Sequence, residues 1–158
     1  MNRTVSTAIA TTHPQPPRRG TATVEAAITL ILMLNVFFAM LDLGVLIFQS
    51  NMLSLAARRL TREAIVRGSA IDSTAAWGPT LISGTANDGS PAAQVIRPYC
   101  VSMNRPKVNV LITWPDGTNR IDDRVTTRLS YQRQSMTPLT SWMGTIKLNA
   151  TATMRIVH

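Results

Sequence analysis

Two carboxylates stand where a carboxylate is costly. Glu25 immediately precedes, and Asp42 interrupts, an apolar run from Ala26 to Phe48. An acid in hydrocarbon costs roughly 2.5 to 3.5 kcal/mol at the centre of a membrane helix and less near its ends, so each of the two calls for a cation or for water. Asp42 lies 17 residues after Glu25 and 6 before the end of the run. It reads equally as a residue hydrated from the far interface or as an interhelical contact in an assembly, while Thr29 and Asn35 read as local backbone or helix–helix hydrogen bonds. Hydrolytic chemistry finds no support. The histidines are His13 and His158, and no nucleophile–base pair or carboxylate dyad is spaced as a motif, so no catalytic residue is assigned. Ser, Thr and Asp within 116–127 read as turn and strand-face residues. A single cysteine, Cys100, has no partner in the chain for a disulfide, and no Cys/His cluster suggests a metal or other cofactor, so Cys100 is expected to be a small buried apolar residue.

The element that must carry the two acids is a helix. From Thr21 to Arg67 there is no proline, and only Gly44 interrupts good helix formers, which predicts one helix over 21–67 with Gly68 as its stop. Its first half, the 23 residues 26–48, would be about 34 Å long, enough to cross a bilayer core of roughly 30 Å. A secretory signal has a shorter apolar region; Ser54-Leu55-Ala56 offers only a weak cleavage site for that alternative. The second half is amphipathic. Leu53, Ala56, Leu60 and Ala64 form one stripe among Arg58, Arg59, Arg62, Glu63 and Arg67, and this stripe is the expected docking face for a sheet.

Residues 1–20 are polar, contain Pro14, Pro16 and Pro17, and read as a disordered leader. After Gly68 the chain is rich in turn signals to about Lys107, with Ser90 and Pro91 set to open a short helix through Ile96. Then the period becomes two. Val108, Val110, Ile112 and Trp114; Val125, Thr127, Leu129 and Tyr131; and Ile146, Leu148, Ala150, Ala152, Met154 and Ile156 each alternate with polar or exposed positions. The expectation is an α+β fold in which a long N-terminal helix packs on a three-stranded antiparallel sheet, with residues 68–158 forming the loop-rich region and sheet domain.

A formal charge of +8 raises the question of nucleic acid. The distribution argues against it. Setting aside Arg3, Arg18 and Arg19 from the 16 basic residues leaves 13 against 8 acidic, a net of +5, and no aromatic platform is interleaved with them. Charge does not fix topology either, since Arg58, Arg59, Arg62 and Arg67 beyond the span oppose the three arginines before it.

Arg-Arg-Gly-Thr-Ala-Thr-Val-Glu at 18–25, an apolar run ending in Asp42-Leu43-Gly44, then Ala56-Ala57-Arg58 and Arg62-Glu63-Ala64, together resemble the TadE/TadG-like family of pilin-like proteins from tight-adherence (Tad) pilus systems. Thr137-Pro138-Leu139 and the strand 146–155 are similar to the tail of those proteins. The resemblance implies cleavage by a prepilin peptidase between Gly20 and Thr21, an assembly role for Glu25 against the new N-terminal ammonium of a neighbouring subunit, and Asp42 as a further assembly residue. It implies a single-pass protein of the bacterial inner membrane, N-terminus cytoplasmic and C-terminal domain outside, with other pilins or pseudopilins and pilus assembly proteins as partners and a surface pilus as a destination. Ala26 stands where many Tad pilins have an aromatic residue, and the proline often found early in their span is absent. The function implied is that of a minor pilin or pseudopilin supporting pilus or secretion-apparatus assembly. The alternative is a membrane-anchored binding or sensor domain unrelated to pili.

Overall fold

The computed structural model describes residues 19–68, 76–134 and 144–157. The order is a helix α1 (Arg19–Val66), a strand β1 (Ile82–Thr85), a short helix α2 (Pro91–Ile96), and strands β2 (Val108–Thr113), β3 (Arg124–Gln134) and β4 (Thr145–Arg155), with single 3-10 turns at Arg97–Tyr99 and Arg105–Lys107. Residues up to Val36 make one unit and Phe37 onward, with the whole sheet, a second. Most of the expected leader and the segment around Thr137-Pro138-Leu139 lie outside the described residues. Arg19 and Gly20 are already helical, so α1 begins two residues ahead of the expected Thr21.

Within the second unit the strands form one antiparallel sheet in the order β1-β2-β3-β4. It has four strands where periodicity predicts three. β1, Ile82-Ser83-Gly84-Thr85, is too short to show an alternation and contains a glycine that reads as a turn signal. It nevertheless pairs with β2 from Ile82↔Ile112 to Thr85↔Asn109. Asp88 is what requires that glycine. A Cβ on Gly84 would lie 2.1 Å from Oδ2 of Asp88, whose carboxylate turns back to accept the Thr85 amide at 2.8 Å. Asp88 also accepts from the Ser90 hydroxyl and amide. Ser90 in turn caps α2, its Oγ accepting from the Ala93 amide at 3.1 Å, with Pro91 at the first helical position.

One face of the sheet is apolar and one is wet. On β3 the burial alternates without a break, Val125, Thr127, Leu129, Tyr131 and Arg133 inward and Arg124, Arg128, Gln132 and Gln134 outward. The apolar members of that inward row share a single core with Val108, Val110 and Ile112 of β2, Ala150 and Ala152 of β4, and Leu53, Ala56, Ala57, Leu60 and Ala64 of α1. Leu53, Ala56, Leu60 and Ala64 are each 0–1% exposed. At about 1.5 to 3 kcal/mol for a fully buried leucine, Leu53 and Leu60 are leading contributors to the packing of α1 on the sheet. Thr61, also sealed in, donates to the Ala57 carbonyl at 2.8 Å and makes a longer contact of 3.4 Å to the Ala152 carbonyl of β4. The region 76–107 is more than connection, since Trp77, Ala86, Ala92, Ile96, Cys100 and Met103 complete the same core. Trp114 closes its end. Gly78, at φ +85°, has no Cβ to collide with the indole ring, whose Cε2 lies 2.4 Å from where that atom would stand.

This packing can be tested at its centre and at its edge. Leu60→Asp places an unpaired charge in the core that α1 shares with the sheet, and thermal unfolding of the detergent-solubilised chain should show a loss of about 3 kcal/mol or more. At the β2–β3 turn, bidentate hydrogen bonding from the Arg124 guanidinium, with its amide, holds the Asp116 carboxyl down at about 2, from an ordinary 3.8. Because the folded value is the lower one, this contribution is complete above pH 3.8 and lost as pH falls toward 2. A carbon-detected NMR titration should find the low midpoint in the wild type and a return toward 3.8 in Arg124→Ala.

Candidate functional site

Gly20, Thr21 and Glu25 occupy the start of α1. All three are exposed, as are the apolar neighbours Val24 and Ile28 at 60% and 54%. A Cβ built on Gly20 meets nothing within 4 Å among the described residues. Placing a glycine in a helix costs about 1 kcal/mol against alanine, and no described contact of Gly20 offsets it. Glu25 has its backbone carbonyl capped by the Thr29 hydroxyl at 2.9 Å, and Asn35 donates in the same manner to Ile31 at 3.0 Å. These are the local backbone bonds anticipated for Thr29 and Asn35.

Asp42 has a partner that its sequence position does not announce. It forms an ion pair with Arg133, the last inward residue of β3, and the Arg133 Nη1 also donates to the Asp42 backbone carbonyl at 3.0 Å. The side chains are 8% and 3% exposed. The partner of the acid is thus a residue of its own chain, 91 positions away. Two turns further along the same helix face, Gln49 is sealed at 1% exposure and donates to the Ser102 carbonyl at 2.7 Å. Asp42 and Gln49 therefore hold α1 to β3 and to the 100–104 loop at defined heights. Leu53, Ala56, Leu60 and Ala64 continue that face into the core.

Sequence reasoning did not find Arg133, although the signal was present. Extending the alternation Val125, Thr127, Leu129, Tyr131 by one step puts an arginine on the buried face, where it needs an acid. Gln49 carries no such signal. Cys100 is buried at 1% exposure, and burial pushes its thiol above the ordinary range. Among the described residues no group of three or more His, Cys, Asp or Glu could hold a metal.

The class of protein defined by these features is a membrane-anchored one. α1 is long and apolar enough to cross a bilayer, its most apolar window is wholly exposed, and its later turns form part of the core of a four-stranded α+β unit. Residues 20–62 match the model of the TadE-like protein family, a stretch that starts at Gly20 and runs through the Asp42 pair to the docking face. The match likens the chain to proteins associated with Tad pili, a family not known for enzymes. No curated protein and no solved structure matches the chain.

Removing one member of the Asp42–Arg133 pair takes away the opposite charge that the other, buried side chain faces. Asp42→Asn and Arg133→Met should each destabilise the second unit by about 3 to 5 kcal/mol, while Asp42→Leu combined with Arg133→Met should recover most of the loss. A double-mutant cycle by thermal unfolding in one detergent checks this. Additive losses would show that the two side chains do not act as a pair.

Proposed function

We propose that this chain is a minor pilin or pseudopilin of a Tad-type pilus or related secretion apparatus, cut between Gly20 and Thr21 by a membrane-embedded prepilin peptidase. The observation that carries the reading is the coincidence of the family match with Gly20, a helical glycine that no contact among the described residues requires. A residue without Cβ suits an extended backbone entering a narrow protease site. Cleavage there leaves Thr21 as the N-terminus, four positions before Glu25. The Glu25 carboxylate then meets the terminal ammonium of a neighbouring subunit as helices bundle, each charge lowering the cost of the other in a poor solvent. In this reading the leader faces the cytoplasm, the sheet-bearing unit lies outside the inner membrane, and other pilins and pilus assembly proteins are its partners. The work is structural, with no cofactor.

A generic anchor carrying a binding or sensor domain places no demand on either residue, which makes the two readings separable. Coexpressed with a prepilin peptidase, the membrane-extracted chain should sequence from Thr21, and Gly20→Val should retain the leader. An N-terminus left at Met1, or one near Ala57, would remove the pilin reading. Glu25→Ala should leave insertion and cleavage unchanged while impairing association with other pilins in a strain holding the rest of the machinery, and Glu25→Lys should be worse because two cations meet. If both variants assemble like the wild type, the generic anchor takes precedence.

A further inference from the structure

The sheet has a chemically different end at each extreme of β3. At the β2–β3 turn, Asp116 pairs with Arg124 and Asp122 with Arg155, and Asp123 lies beside them, so bases and acids are mixed. Arg124 and Arg155 face each other in the ladder there. Nine residues further along β3, roughly 30 Å at about 3.3 Å per residue, Arg133 is bonded to Asp42 of α1. At this end the balance changes. Lys147 faces Gln132 across the β3–β4 ladder, one step from the Arg133 row. Lys107 immediately precedes Val108, the partner of Tyr131, and lines with Gln132, Gln134 and Thr145 a hollow of about 270 Å³ on the outer face. Arg105 stands in the same 3-10 turn as Lys107. Arg105, Lys107 and Lys147 are all exposed, and 97–113, 124–134 and 144–157 contain no acid at all.

This basic end is set at the height of Asp42, where α1 is still apolar on its free sides: Leu43, Ile47 and Phe48 are 55%, 54% and 50% exposed. Apolar side chains that need hydrocarbon and cations that need counter-charge therefore occur at one level of the same unit. From this the geometry points to a headgroup-contacting rim: Arg105, Lys107 and Lys147 rest on the phosphates of anionic phospholipids in the membrane that α1 crosses. A second copy of the chain is a poorer occupant, because among the described residues its acids outside the helix and the 88 loop gather at the β2–β3 turn and are already engaged there, Asp116 and Asp122 by arginines. Attraction of cations to an anionic leaflet also explains why the rim needs no deep pocket, being a field effect that acts within a Debye length. The inference rests on the anchor reading of α1 and not on the pilin role.

Lys107 and Lys147 are the chain's only lysines, which gives the test its readout. The full chain carrying Arg120→Lys, which adds a reference amine at the β2–β3 turn, is reconstituted into phosphatidylcholine vesicles with or without phosphatidylglycerol. Flotation with the vesicles tests the anchor by itself, and failure to float would remove the reading on which the rim depends. In floating protein, acylation of Lys107 and Lys147 by a water-soluble reagent should slow by about fivefold relative to the reference amine when phosphatidylglycerol is present. The slowing should vanish in about 1 M salt, where the Debye length is about 3 Å. Equal rates in the two lipids, or equal slowing at the reference amine, would overturn the proposal. Protection that appears in phosphatidylcholine alone and grows with the protein-to-lipid ratio would overturn it too, assigning the face to another copy.

Discussion

A helix shared between hydrocarbon and a protein core has to change its surroundings along its length, and the buried Asp42–Arg133 pair stands where that change begins. Upstream, no residue between Ala26 and Leu41 is charged and nearly every side chain is exposed. Downstream, Gln49, Leu53, Ala56, Leu60 and Ala64 put one face of the helix into the sheet. Arg133 is held to the carboxylate and to the carbonyl of one helical residue, so α1 cannot slide by a turn against β3 without breaking a desolvated ion pair. Hydrophobic contacts between an alanine-rich stripe and a sheet are weakly directional and would tolerate such a slip. A buried pair contributes little net stability when intact, but its loss is costly, and that asymmetry makes it suited to specifying a register.

Small residues set how closely helix and sheet approach. Ala56, Ala57 and Ala64 on the helix meet a sheet that presents Ala150 and Ala152 from β4 and β-branched residues from β2 and β3. With little side-chain volume between the layers, the core must be extended sideways, and the 76–107 region does this with Trp77, Ile96, Cys100 and Met103. Trp77 is itself fixed from three directions: its amide donates to the Arg67 carbonyl, the Arg67 guanidinium lies 4.9 Å over its ring, and the Asn119 side chain donates to its carbonyl. Glu63 holds that guanidinium at 2.9 Å, so an i,i+4 pair that would contribute a few tenths of a kcal/mol on a free helix here also orients a cation over an aromatic face.

Periodicity carried most of this architecture because it reports burial directly. The long helix, α2 with its Ser90 cap, and strands β2 to β4 are legible as changes of period and as capping chemistry. β1 is not, since four residues with a glycine cannot display a period, and the cause of that glycine is a carboxylate four positions later. Among the candidate residues, Leu53, Ala56, Leu60 and Ala64 could be read from spacing because an amphipathic stripe is a local property. The partner of Asp42 could not, because an ion pair between residues 42 and 133 is a fact of tertiary structure, approachable only by asking which buried strand position carries the wrong polarity. Gln49 shows the limit. Its amide answers one loop carbonyl, that of Ser102, and nothing in either local sequence signals the other.

The glycines separate what the chain needs for itself from what it holds ready for others. Gly78 and Gly84 are each dictated by a neighbour, an indole ring and a carboxylate, and any Cβ there would displace the core or the 88 loop. Gly20 and Gly44 lie inside a helix with open space where their Cβ would be. Helix propensity disfavours both by about 1 kcal/mol relative to alanine, and the packing of the described residues gives no reason in their favour. Both belong to the stretch that matches the TadE-like model, and both sit on the part of α1 whose apolar side chains are exposed. The cleavage proposed at Gly20 gives a residue without Cβ a use there, in an extended backbone entering a narrow protease site. In the proposed assembly, the missing side chain of Gly44, one turn short of Phe48 and two residues past the Asp42 pair, favours close approach by another helix.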